Sequence, residues 1–257
     1  MIRLKPKRLL IIDTFVGSGL IMVFIIRAFL AVTGYPQIGG IGLHIAHMLW
    51  GGFLMATMIL YLLISKKPRK LISASIAGAG FGLFVDEIGK FITSDNNYFF
   101  QPAALLIYLI FLFIWIVGRL LISKADNLRF IPRASWPTNK WIKRFIIIWT
   151  FVQILLGSLA IIILVLALCY QVDIISKIPI IYILIYLIYL FMLILAIFFL
   201  LIKKTHLSVK TLRTATMLSI VAIYPMIFYY QQFTAVTGFL LSVAVLVSLT
   251  SKDDLLD

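Results

Sequence analysis

Acidic residues are scarce in this 257-residue chain, only nine in all, yet Asp86, Glu87 and Asp95 fall within ten positions of one another. A short way upstream stand His44 and His47, and Lys90 follows Asp86 by one helical turn. Two imidazoles and a carboxylate with an open coordination position form a common catalytic metal set. A divalent metal such as zinc is therefore the cofactor that His44, His47 and Asp86 would hold, with Asp86, Glu87 and Lys90 as acid–base candidates. The spacing H-x-x-H is not itself a zinc signature, and no H-E-x-x-H occurs. The same carboxylates and histidines suit a second chemistry, binding and release of a proton or cation coupled to a solute. A third reading is non-catalytic, in which the groups recognise a lipid headgroup or a partner. The bland alternative is a salt-bridge network of Arg27, Lys90, Asp86 and Glu87 that only pins helices.

The surrounding residues decide what can position such groups. The chain is 63% hydrophobic with a mean hydropathy of +1.12, well beyond the roughly 45–50% apolar content of a soluble domain. In hydrocarbon only helices or closed barrels satisfy every backbone amide, and unbroken apolar runs fit helices. The expected fold is an all-α polytopic bundle with spans at about 9–34, 41–65, 71–93, 102–123, 144–170, 178–202, 211–229 and 232–250. Residues 1–123 form a four-span half carrying the polar groups, 124–143 a basic cytoplasmic loop, and 144–257 a hydrophobic half of about four spans. Tyr229 to Gln232 leave only a tight turn before the last span, with Pro225 kinking the helix ahead of it.

A formal charge of +14 would suggest nucleic acid in a soluble protein, but here it marks topology. Alternating loops place 20 of the 23 Lys and Arg on one side, all except Arg27, Lys90 and Lys177. That bias puts both termini in the cytoplasm. Membrane lipids are the expected partners, nucleic acid is not, and no protein partner is indicated. The single cysteine, Cys169, excludes an intrachain disulfide.

Depth and facing follow from the spans. At 1.5 Å per residue Asp86 lies roughly 22 Å above Leu71, in the outer third of the core, and His44 and His47 descend to the same level from outside. Ser75, Gly78, Gly82, Asp86 and Gly89 recur at spacings of three and four, so Asp86 should face a neighbouring helix. Arg27 reaches a similar depth on the first span. A lipid or lipid-linked substrate there would meet Arg27, Trp50, Asp95, Asn96 and Tyr98. Tyr182, Tyr186 and Tyr189 make an aromatic stripe best read as packing, His206 falls in a basic loop, and Asp13 reads as interfacial.

The stretches His44-Ile-Ala-His47-Met-Leu-Trp50-Gly-Gly52 and Gly80-Phe-Gly-Leu-Phe-Val-Asp86-Glu87-Ile-Gly-Lys90-Phe-Ile-Thr-Ser-Asp95-Asn96-Asn-Tyr98-Phe-Phe-Gln-Pro102 resemble an uncharacterised family of bacterial multi-pass membrane proteins over roughly residues 40 to 120. The resemblance implies a bacterial plasma-membrane location and no particular activity. A more distant similarity is to VanZ-like membrane proteins, which also carry a histidine on one span and an acidic residue on the next. Leu105 to Val117 contains no charged residue where a later acidic motif would stand.

Overall fold

The structure is a computed structural model that describes residues 8–34, 46–98, 100–126, 134–169 and 179–249. The described residues are helical without a strand. In chain order they are α1 (Arg8–Thr33), α2 (His47–Ile64), α3 (Lys70–Asp86), α4 (Ile88–Ile92), α5 (Ala103–Ala125), α6 (Lys140–Cys169), α7 (Ile180–Leu201), α8 (Thr205–Leu218), α9 (Tyr224–Gln231) and α10 (Val236–Ser248). Six helices among them are long and apolar enough to cross a membrane: α1, α2, α5, α6, α7 and the continuous stretch Thr205–Gln231. This is the make-up of a multi-pass membrane protein. Leu63, Ile64, Phe53 and Leu155 are among many large apolar side chains left on the outside, the faces such helices turn to lipid rather than to one another.

The chain forms two compact units. Among the described residues, one takes those of 8–126 together with Phe228–Val236, and the other those of 134–227 and 237–249.

In the first unit α3 is the central helix, because it carries small residues on two faces. Gly78 and Gly82 meet α1, where a Cβ on Gly78 would strike the Phe15 carbonyl and one on Gly82 the Gly19 carbonyl. Gly80 meets α2, and a Cβ there would stand 2.8 Å from the Gly51 carbonyl oxygen. Backbones can approach this closely only without side chains between them, and in lipid that packing is the main force joining helices. The stripe expected from Ser75 starts differently. Ser75 is exposed, while Ser73 and Ala74 are buried, because α3 serves two neighbours on different faces rather than one. Val16, Val23, Val85, Ile107 and Phe111 complete the core, with Phe81 edge-on to Phe111 at 5.4 Å.

The segment expected as one span over 71–93 breaks at Glu87, which leaves the helical region (ψ 8°) before the short α4. Beyond α4 the chain makes a compact series of turns. The Thr93 hydroxyl accepts from the Asn97 amide at 2.7 Å and donates to the Gly89 carbonyl at 2.8 Å. Asn96 takes a left-handed φ of 52°, which asparagine tolerates better than most residues. Gly89 is required beneath them, since a Cβ would lie 2.9 Å from the Asn97 carbonyl oxygen.

The second unit is apolar. Ile146, Tyr189, Leu193, Ala196, Leu212, Ala215 and Leu249 form its core, and the buried Ser208 hydroxyl donates to the Ala196 carbonyl at 2.8 Å, tying α8 to α7. Tyr189 of the aromatic stripe is core and Tyr186 packs against it. Helix α8 begins at Thr205, so His206 lies in its first turn, exposed, not in a loop. Between α8 and α9 the chain winds as a π-helical turn, Ser219–Ile223. Pro225 has no N–H for the carbonyl four residues back, and an extra residue in the turn is a common way to absorb that loss. The Tyr224 hydroxyl then lies 3.0 Å from Ser242 Oγ, with the ring edge-on to Phe239, so α9 and α10 form a hairpin. Its tip is the 3₁₀ turn Gln232–Ala235, opened by Gln232 at φ 50°.

Candidate functional site

The chemistry-bearing residues converge on Asp86 at the end of α3. Its carboxylate is fully buried and takes several donors. Arg27 of α1 donates from Nε to Oδ1 at 2.6 Å and from Nη2 to the Asp86 backbone oxygen at 2.9 Å. The Tyr98 hydroxyl donates to Oδ2 at 2.6 Å, and His47 Nε2 stands 3.0 Å from the same oxygen. Glu87, also buried, faces the other side of the imidazole. His47 Nδ1 lies 2.9 Å from Glu87 Oε1, an ion-pair distance without hydrogen-bond alignment, while Lys90 Nζ donates to Oε2 at 3.2 Å.

Each position has a local cause. Glycine seams bring α1 and α2 onto α3, so Arg27 and His47 arrive from opposite faces. The break at Glu87 sets the consecutive acidic residues against opposite nitrogens of His47, with Asp86 also reaching Arg27 and Glu87 reaching Lys90. The Thr93–Asn97 turn and the close approach over Gly89 carry Tyr98 back over the cluster. The Arg27 guanidinium packs against two rings, 3.9 Å from the centroid of Tyr98 and 4.5 Å from that of Phe233. Such stacking favours arginine over lysine at this position. Burial and the adjacent Asp86 carboxylate push the Tyr98 hydroxyl, in the loop between α4 and α5, above its ordinary pKa. It therefore stays a donor at physiological pH.

Of the residues singled out by sequence, Arg27, His47, Asp86, Glu87, Lys90 and Tyr98 meet. Trp50 is 54% exposed on α2, and Asp95 and Asn96 lie on the exposed side of their turn. His44 lies outside the described residues. Among the described residues no group of three His, Cys, Asp or Glu is arranged to hold a metal ion. Both ring nitrogens of His47 face carboxylates, and the Asp86 oxygens are engaged by Arg27 and Tyr98.

Two features escaped the sequence. Phe233 enters the site from the hairpin tip, more than two hundred positions after Arg27. A second ion-pair cluster lies near the start of α1, where Arg119 Nη1 donates to both oxygens of Asp13 at 2.7 and 2.6 Å and Trp115 Nε1 donates to Oδ1 at 2.9 Å. Arg119 is buried, although its charge reads as part of the cytoplasmic basic set.

Comparison with protein-family models, curated proteins and solved structures found no match to the chain.

Proposed function

We propose that this chain is a bacterial plasma-membrane protein of about eight spans, both ends cytoplasmic, that couples movement of a small solute to a proton held among Asp86, His47 and Glu87. The topology rests on the one-sided distribution of Lys and Arg. It also counts Lys70–Ile92 as one broken span and the α9–α10 hairpin as the last turn between spans. The bacterial assignment rests on the resemblance of residues 40 to 120.

The observation that carries the proton reading is an imidazole set between two buried carboxylates, at 3.0 Å on one nitrogen and 2.9 Å on the other. With hydrogens on both nitrogens the ring is an imidazolium and both contacts attract. When one proton leaves, a nitrogen lone pair faces a carboxylate oxygen, which only a proton on that carboxylate or a movement of the ring relieves. His47 belongs to α2, Asp86 and Glu87 to the end of α3, and Arg27 to α1. Gain or loss of a single proton thus alters the contacts joining three helices, the kind of two-state element that coupling requires.

The test is proton movement in liposomes carrying purified protein and an internal pH dye, with an imposed pH gradient and a panel of small solutes. At least one solute should accelerate the internal pH change in the wild type, and Asp86→Asn should lower that rate about tenfold or more, the scale of one lost charge-assisted contact. Stoichiometric zinc in the wild type that is lost in both His47→Ala and Asp86→Ala would instead favour a metal-assisted enzyme and direct the search for its substrate to lipids and lipid-linked groups.

A further inference from the structure

We infer that the rim formed by Arg27, His47 and Lys90 receives an anionic group, a carboxylate or a phosphate. The transport of that anion rests on the proton-coupled reading above, but its binding does not.

The cluster is layered by sign. The side chains of Asp86 and Glu87 are 0% and 1% exposed, whereas those of Arg27, His47 and Lys90 are 10%, 18% and 26% exposed. Anything that reaches the cluster touches cations first, and the two carboxylates lie behind them. The charge balance points the same way. Arg27 and Lys90 match the two carboxylates in number, and when both nitrogens of His47 carry hydrogens the imidazolium adds a positive charge that an arriving anion would neutralise in a poorly solvated place.

The guanidinium supplies geometry as well as charge. Its Nε and Nη2 are both committed to Asp86, while among the described residues no acceptor is paired with Nη1. The rings of Tyr98 and Phe233 pack against it at 3.9 and 4.5 Å and restrict its movement, and the remaining donor suits an oxygen of a carboxylate or phosphate. A cationic solute would meet the Arg27 and Lys90 side chains first and be repelled at this rim.

Binding of inorganic phosphate and of acetate to the protein in maltoside detergent, which carries no phosphate of its own, can be followed by calorimetry. A parallel titration uses micelles doped with phosphatidylglycerol. The expected result is saturable binding of at least one of these three probes, weakened about tenfold in Lys90→Gln and unchanged in Lys210→Gln, which removes an equal charge from the exposed face of α8. Binding of phosphatidylglycerol without the free anions supports the rim and assigns it to a lipid headgroup. Binding of the free anions supports a soluble ligand. Absence of binding by all three probes overturns the inference, as does an equal loss in Lys90→Gln and Lys210→Gln. Monodispersity by size exclusion shows that each variant is folded. Anion binding without proton movement in liposomes would leave this inference standing and remove the transport reading, and the reverse result would do the opposite.

Discussion

Besides the exposed Arg8–Asp126 pair at its first residue, two ion-pair clusters anchor α1, separated by fourteen residues or about 21 Å of helix. Near its start, Asp13 receives both oxygens' worth of hydrogen bonds from one guanidinium and a third from an indole. One negative charge meets one positive charge. Near its end, Arg27 joins two carboxylates, a lysine, a phenol and an imidazole. That set holds one more proton site than simple pairing needs. The difference separates a pair that only fastens α1 to α5 from a cluster whose contacts depend on where a proton sits.

Replacing one carboxylate in each cluster tests that contrast most severely. Asp86→Ala removes the buried carboxylate that pairs with the half-buried Arg27 and with one nitrogen of His47 and should cost about 3–5 kcal/mol, the usual penalty for breaking such a pair. Asp13, whose side chain is 27% exposed, admits water to the vacated place, so Asp13→Ala should cost less, about 1.5–3 kcal/mol. Thermal unfolding in detergent ranks the two. Equal losses would make the clusters equivalent fasteners. Only the Asp86 variant should also abolish proton movement.

The glycine seams give the next effect. Gly82→Ala must push α1 away from α3 and should destabilise by about 1–3 kcal/mol through overpacking, disturbing the Arg27 cluster ahead of the Asp13 pair. At Gly52 a Cβ meets nothing within 4 Å, so Gly52→Ala should be neutral or gain about 0.5–1 kcal/mol from helix propensity. A comparable loss in both variants would remove close backbone approach as the reason for glycine on these helices.

The smallest effect is expected at Tyr98. Tyr98→Phe keeps the ring against Arg27 and removes one hydrogen bond to Asp86, at a cost of about 1 kcal/mol. The folded-state pKa of this phenol is raised from its ordinary 10.0. Its contribution is therefore fully present below that value and is lost only as pH rises above it. The difference between variant and wild type should be constant from pH 6 to 8.5, and a difference that grows or vanishes within that window would mean that His47 or Glu87, not Tyr98, controls it.

Much of the cluster around Asp86 was legible because helical spacing gives both depth and face. Asp86 and the glycines lie on shared faces of α3, His47 and Gly51 are one turn apart on α2, and the rise per residue brings Arg27 to the same level. The Asp13 pair was hidden because its partners are 106 residues apart and Arg119 follows the apolar run directly, where a basic residue already has a topological explanation. Periodicity states which face a residue takes, but not which helix that face meets. Ser75 was misjudged for that reason, since α3 has two neighbours and its burial shifts to Ser73 and Ala74. Phe233 carried no signal, as an aromatic beside an arginine across the fold has no mark in local sequence.

The π-helical turn at Ser219–Ile223 sets the reading frame of everything after it. Each residue advances a helix by about 100°, so deleting a single residue there would let the backbone close as an ordinary α-helix and swing the following face through more than a quarter circle. Tyr224 would leave Ser242, and Phe228 would leave the face of Tyr108 on which it now stacks at 4.9 Å. A length change of one codon in this turn is thus a more drastic lesion than most substitutions along the same helix, and natural variation should preserve its residue count more strictly than its residue types.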